Sequence, residues 1–344
     1  MLEVRDLRTR YTLGEDEELD AVDGVSFEIG EGTVFGLVGE SGCGKSTVAK
    51  SIIRTLSRNG SVVDGEIRFK GTDLLGASPA ELRRIRWEEI ALISQSAMNS
   101  LDPVYTAGEQ IREAIRAHRD VDAEWMDARV QELFEVVGID PGRAEDYPHQ
   151  FSGGMKQRIM IAMSLVLDPD LIIADEPTTA LDVVNQDTIL HYLERLQEET
   201  GASILLITHD MGVVAEICDR VGVMYGGHLV EEGPTLDVFT DPIHPYTVGL
   251  KNSFPSLRGA ADDLITIPGS PPDLRQIGSQ CRFASRCPFA VERCHREEPS
   301  LAAYGPEHSA ACFRIDELGE EIARRGAERR TWYDDAVDEV GEQP

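Results

Sequence analysis

Gly39-Glu40-Ser41-Gly42-Cys43-Gly44-Lys45-Ser46 follows the apolar run VFGLV at 34–38 and opens a segment of helical character. The spacing is G-x-x-x-x-G-K-[ST], and a strand, a glycine-rich turn and a helix form the context in which that pattern binds phosphate. Glycines let backbone amides converge on phosphate oxygens, and the helix N-terminus adds positive potential. Lys45 is expected to reach the terminal phosphates and Ser46 to ligate Mg²⁺. The expected cradle is Gly39, Ser41, Gly42, Gly44, Lys45, Ser46 and Thr47.

Outward from this loop, apolar runs alternate with helical patterns. The run at 171–175 precedes a helix from about Val184, and the run at 204–208 precedes another. Continuous apolar strands separated by helices predict a mostly parallel sheet covered on both faces. Between Gln95 and Tyr147 the strand signal disappears, and 107–118 and 123–137 have helical periodicity. A helical subdomain over about 96–165 is expected within the α/β core. Proline then recurs at 242, 245, 255, 268, 271 and 272, which marks a boundary near 241.

Two further stretches bear chemistry. Leu171-Ile172-Ile173-Ala174-Asp175-Glu176 is a buried strand ending in two carboxylates, suited to put Asp175 near Mg²⁺ and Glu176 beside an attacking water. Phe151-Ser152-Gly153-Gly154-Met155 precedes a helix expected over 156–167, so Ser152, Gly153 and Gly154 form a second anion-binding helix N-terminus. One chain cannot easily fold both cradles onto one nucleotide. A head-to-tail dimer with the nucleotide between protomers is the expected arrangement.

Taken in order, the phosphate loop, Gln95, FSGGM, LIIADEP, Ala180-Leu181-Asp182 and His209 resemble the motifs of the ABC ATPase family over residues 1 to about 240. The resemblance implies ATP with Mg²⁺ as ligands and an α/β P-loop NTPase fold. It also implies that Tyr11 stacks on adenine, Gln95 links Mg²⁺ and the attacking water to a membrane subunit, Asp182 acts across the dimer and His209 contacts the terminal phosphate. Met155 stands where many members carry Gln. FSGGM followed by KQRIMIAMSL is similar to the D-type ATPase subunits of the dipeptide, oligopeptide and nickel importers, as are His244-Pro245-Tyr246-Thr247 and the cysteines beyond 280. That likeness implies a second, F-type ATPase subunit, two membrane permeases, an external peptide-binding protein acting indirectly, and a place at the cytoplasmic face of the membrane. Nickel or another small solute stays open as cargo.

The cysteines are Cys281-x5-Cys287-x6-Cys294-x17-Cys312, within the extension expected over 241–315 and ahead of an acidic tail at 316–344. In a reducing compartment such a cluster reads as a metal site, yet it lacks the C-x2-C spacing of zinc ribbons. Four thiolates suit an iron-sulfur cluster or zinc, and an empty module is the third reading. Some members of the resembled group carry a [4Fe-4S] cluster at matching cysteines. Arg282, Arg286, Arg293 and Arg296 are expected to stabilise thiolates or an anionic cluster. His295 and His308 are substitute ligands, whereas Cys43 and Cys218 are expected to take no part.

Composition limits the partners. Net charge is −29, spread along the chain, and only five of 33 basic residues are lysine. That acidity disfavours nucleic acid and resembles proteins of salt-loving organisms, where salt screens self-repulsion. It also counts against an ABC ATPase that acts on DNA or ribosomes. The N-terminus MLEVRDLRTR has no signal-peptide core, and no apolar run reaches the roughly eighteen residues of a membrane span. Membrane contact is expected only through partners.

Overall fold

A computed structural model of the chain describes residues 1–14, 17–94, 101–178, 183–253, 267–275 and 278–317. Gln95, Asp182 and the acidic tail beyond 317 lie outside the described residues. The strands and helices are, in chain order, β1 (Leu2–Thr12), β2 (Glu18–Ile29), β3 (Val34–Val38), α1 (Lys45–Ile52), β4 (Gly60–Phe69), β5 (Thr72–Asp73), α2 (Pro79–Glu88), β6 (Ile90–Ile93), α3 (Ala107–His118), α4 (Ala123–Val136), α5 (Gly153–Ser164) and β7 (Leu171–Asp175). They continue with α6 (Val183–Thr200), β8 (Ser203–Thr208), α7 (Met211–Ile217), β9 (Arg220–Tyr225), β10 (His228–Pro234), α8 (Thr235–Thr240), α9 (Pro245–Asn252), β11 (Ala302–Ala303) and β12 (Ser309–Ala310). The chain divides into two compact units: residues 69–207 with 29–34 and Met1, and residues 2–28, 35–68 and 208 onward.

In the first unit β6, β7 and β8 form a parallel ladder, with Ile90 opposite Leu171 and Leu171 opposite Ser203. Every residue of β7 and β8 is buried, which is why these strands read as unbroken apolar runs rather than as alternation. Between β6 and β7 the chain builds the expected helical insert. Helix α3 starts at Thr106 and α4 at Asp122, whose side chains accept N–H bonds from Glu109 and Trp125. Buried Ile111, Ile115, Val130, Leu133, Phe134 and Ile159 hold α3, α4 and α5 together. Arg129 on α4 donates to the Leu165 and Val166 carbonyls (2.9 and 3.3 Å) and so satisfies acceptors at the end of α5. Helix α5 differs from expectation: it begins at Gly153 and ends at Ser164 rather than spanning 156–167. Ser152 is already its N-cap, because its hydroxyl accepts the Met155 N–H, so both glycines lie in the first turn.

The second unit pairs β3 with β9 in parallel and β9 with β10 antiparallel, with an irregularity between Leu229 and Glu231. Strand β12 adds to β10, and β11 to β12. Strands β2, β1 and β4 lie side by side in a separate sheet. Helix α1 is tied to β1 where Thr9 Oγ1 and Ser51 Oγ share a buried 2.8 Å hydrogen bond. The extension is anchored by Glu231, which is fully buried. Its carboxylate accepts the Ile243 N–H, the His244 N–H and a bond from His308 Nε2, each at 2.8 Å. Three bonds to one carboxylate offset the cost of burying its charge.

Candidate functional site

The phosphate loop leaves β3 in a backbone path that only glycine follows without strain. Gly39 has φ 151° and Gly44 φ 108°; a Cβ on the first would overlap the Met224 carbonyl oxygen and one on the second the Ala21 carbonyl oxygen. Lys45 opens α1 with its side chain buried, and its ammonium donates to the carbonyls of Gly39 (2.7 Å) and Glu40 (3.0 Å). The charge is thereby held inside the curl of the loop. Ser46 and Thr47 follow in the first turn of α1, where the Thr47 N–H bonds the Gly44 carbonyl. Tyr11, near the end of β1, is half-buried against Gly60, where any side chain would collide with its ring.

In the first unit Asp175 ends β7 and is buried, while Glu176 follows at φ 50° and donates its N–H to the Ile207 carbonyl at 2.8 Å. A left-handed conformation at a non-glycine residue costs energy and is common at functional sites. Gln157 on α5 donates to the Pro177 carbonyl at 2.7 Å, which ties the helix behind Ser152 to the residue after Glu176. Ser152 and Gly153 are exposed and Gly154 is buried, so the second helix N-terminus faces outward. Met155 has a local reason to be there: its sulfur accepts from Arg143 at 3.5 Å, and that guanidinium also stacks on Phe151. His209 is exposed just past β8, in the second unit.

Cys281, Cys287, Cys294 and Cys312 line one cavity, with Phe283 and Phe289 in its walls. Burial pushes the Cys281 thiol up to about 11 and raises Cys287 and Cys312 as well. Without a metal these sulfurs hold their protons; a bound cation supplies the charge that releases them. No three of the four sulfurs lie within 4.8 Å of one another.

The arginines among the cysteines do not serve the thiolates as expected. Arg282 pairs with Asp23 and Glu298, Arg286 with Glu40, Arg293 with Glu297 and Arg296 with Glu292. A carboxylate offers a guanidinium a geometric match that a protonated thiol cannot. Within the module it is Arg314 that acts on a thiol: its backbone N–H first, and its charge after that, lower Cys312 against the effect of burial. His308 is committed to Glu231 and His295 is exposed. Cys43 and Cys218 are both buried and neither lines the cysteine cavity. Asp23, His228 and Glu298 also cluster, but Arg282 and Arg8 already neutralise them. Burial, reinforced by Arg282, pushes His228 down to about 4.

Sequence reasoning missed Glu40, Tyr246 and Arg286 as a group. The Glu40 N–H bonds the Tyr246 hydroxyl at 2.9 Å, and the Arg286 guanidinium grips the Glu40 carboxylate at 2.7 and 3.0 Å. Glu40 occupies an unspecified position of the loop pattern, and its partners lie more than 200 residues away. No local spacing signals the contact.

The comparisons with known proteins agree with this anatomy. The pattern of the ABC transporter family matches residues 22–179, and that of the oligopeptide/dipeptide transporter C-terminal region matches 230–294. A probable peptide ABC transporter ATP-binding protein of Sinorhizobium fredii is 47% identical over 322 residues, covering 92% of this chain and 96% of its own. The dipeptide transport ATP-binding protein of Bacillus subtilis is 44% identical, covering 95% and 98%. Among solved structures, a dimeric ATP-binding cassette in a post-hydrolysis state with ADP and Pi matches with TM-score 0.62 and 29% identity, over 68% of this chain and 99% of that one. The chain belongs to the ABC transporter family. It is an ATPase of the P-loop class, with a mostly parallel α/β core.

Proposed function

We propose that the chain hydrolyses ATP to drive import of dipeptides or oligopeptides through membrane permease subunits. The observation that carries this reading is the extension: the cassette continues into a region similar to the C-terminal part of oligopeptide and dipeptide transporters. Lys45 and His209 would stabilise charge on the transferred phosphoryl group, and Ser46 and Asp175, with Gln95, would hold Mg²⁺. Glu176 accepts the proton of the water that attacks the γ-phosphorus, releasing ADP and phosphate. Tyr11 stacks on adenine. The outward-facing Ser152-Gly153-Gly154 turn, with Asp182, serves the nucleotide of a second ATPase subunit, an F-type relative. Two permeases hold the pair at the cytoplasmic face of the membrane, and an external binding protein delivers the peptide; nucleic acid is not a partner. The organisation is a cassette over 1–240, an extension over 241–315 and an acidic tail, and the net charge of −29 suits a high-salt cytosol. Reconstituted with its permeases in vesicles, the chain should support ATP-dependent peptide uptake and show peptide-stimulated phosphate release. Stimulation by nickel and none by peptide would assign the other cargo.

The cysteine cavity fits a [4Fe-4S] cluster better than zinc. At a Zn–S length near 2.3 Å the four sulfurs of a zinc site sit within about 4 Å of each other, whereas no three of these lie within 4.8 Å of one another. A cluster spreads its ligands over several metal atoms, and Cys281, Cys287, Cys294 and Cys312 would hold it. Anaerobically purified protein should be brown, with about four irons per chain and visible charge-transfer absorption. Stoichiometric zinc, or a colourless metal-free chain, would overturn this assignment.

A further inference from the structure

We infer that Arg286 and Tyr246 are positioning residues of the phosphate loop, through which the C-terminal extension sets the affinity for nucleotide. The inference rests on the ATPase reading and assigns a role to the extension in that same site. Glu40, second residue of the loop, is held at each of its polar groups. Its N–H bonds Tyr246 Oη, its carbonyl receives Lys45 Nζ at 3.0 Å, and its two carboxylate oxygens accept from the two terminal nitrogens of Arg286. The adjacent Gly39 carbonyl takes the other bond from Lys45. The extension therefore grips the very residue whose carbonyl helps fix the phosphate-seeking lysine.

The grip is rigid at its far end. Arg286 is almost wholly buried and also donates to Tyr225 Oη at 3.1 Å and to the Pro268 carbonyl at 2.8 Å. Burial opposes its charge, and the bonds to Glu40 and Tyr225 more than offset that effect. A planar fork that reaches a carboxylate, a phenol and a carbonyl together needs arginine; lysine supplies the charge without the geometry. Tyr246 is fixed by rings from two other segments, with Tyr225 at 4.6 Å and Phe283 at 5.5 Å between centroids. Arg286 itself rides on a tight turn between Cys281 and Cys287, closed by the Ala284 N–H on the Cys281 carbonyl and the Cys287 N–H on the Ala284 carbonyl. Whatever fixes the two cysteines fixes the guanidinium, and the guanidinium fixes the loop. A cradle whose backbone donors are displaced loses bonds to the bound phosphates, so the grip on the loop reads out first in nucleotide affinity.

Equilibrium binding of MgATP and steady-state phosphate release by the full-length chain test the assignment. Arg286→Gln should raise the dissociation constant and KM for ATP by roughly tenfold or more while kcat changes little, because Arg286 does not touch the reacting atoms. Arg286→Lys should recover part of the affinity. Glu40→Gln with Arg286→Gln should be no weaker than Glu40→Gln alone, the mark of one shared interaction. If Arg286→Gln folds poorly, Tyr246→Phe removes a single bond to the loop and should weaken binding about threefold. A lowered unfolding midpoint with unchanged ATP affinity in these variants would reduce the contact to a structural one and overturn the inference. Failure of the wild-type chain to bind ATP would instead strike the ATPase reading.

Discussion

Glu176→Gln is expected to abolish ATP turnover while leaving ATP binding intact. The glutamine keeps the size and the hydrogen-bonding reach of the side chain but cannot take a proton from water. Loss of a positioned general base costs about 10²- to 10⁴-fold in rate. The backbone supports the assignment: Glu176 stands at φ 50° directly after the buried Asp175, and its N–H is locked to Ile207. A left-handed backbone at a non-glycine residue is a costly conformation of the kind that clusters at functional sites. Phosphate release at saturating ATP, measured beside nucleotide binding, checks the result. Wild-type-like release by the variant would remove Glu176 from the mechanism.

The second large effect falls on the loop backbone. Gly39→Ala should destabilise the fold by more than about 2 kcal/mol and abolish nucleotide binding, since the added methyl meets a carbonyl oxygen that belongs to β9 and cannot retreat. It would also lie 2.9 Å from Cys43 Sγ. Gly42→Ala is the internal control. Gly42 also has a positive φ, 82°, but nothing lies within 4 Å of its Cβ position, so only the backbone cost of about 1–2 kcal/mol applies. Unfolding midpoints should rank wild type above Gly42→Ala above Gly39→Ala. Equal midpoints for the two variants would contradict the packing argument.

What could be read from the sequence follows from how each part is buried. Strands β3 and β7 are buried along their whole length, and their boundaries coincide with apolar runs visible by eye. The sheet of β2, β1 and β4 was not legible in the same way. In β1, LEVRDLRTRYT, one face is exposed and carries Arg5, Arg8 and Arg10, so the run never looks continuous. Met155 pointed to the right subgroup, but its contact with Arg143 emerges only once α5 and the turn at 141–143 are packed. Of the arginines in the cysteine module, Arg293 and Arg296 pair with Glu297 and Glu292 four residues away, but Arg282 and Arg286 take Asp23 and Glu40 about 250 residues upstream. Electrostatic partnership over such a separation has no sequence period. Motifs reveal which groups do chemistry, whereas the residues that aim those groups are visible only after folding.

The bond between Arg286 and Glu40 also bears on inheritance. The proline-rich stretch near 241 looks like a natural seam at which recombination could exchange one tail for another. A cassette grafted at that seam would keep the Glu40 carboxylate and lose its cation, leaving a partly buried charge unanswered beside the ATP site. Exchanges that survive should therefore carry the cysteine segment along with the loop, or replace Glu40 in the same event. The residues that hold the phosphate loop of this ATPase extend at least to Arg286, well past the point where its chain composition changes.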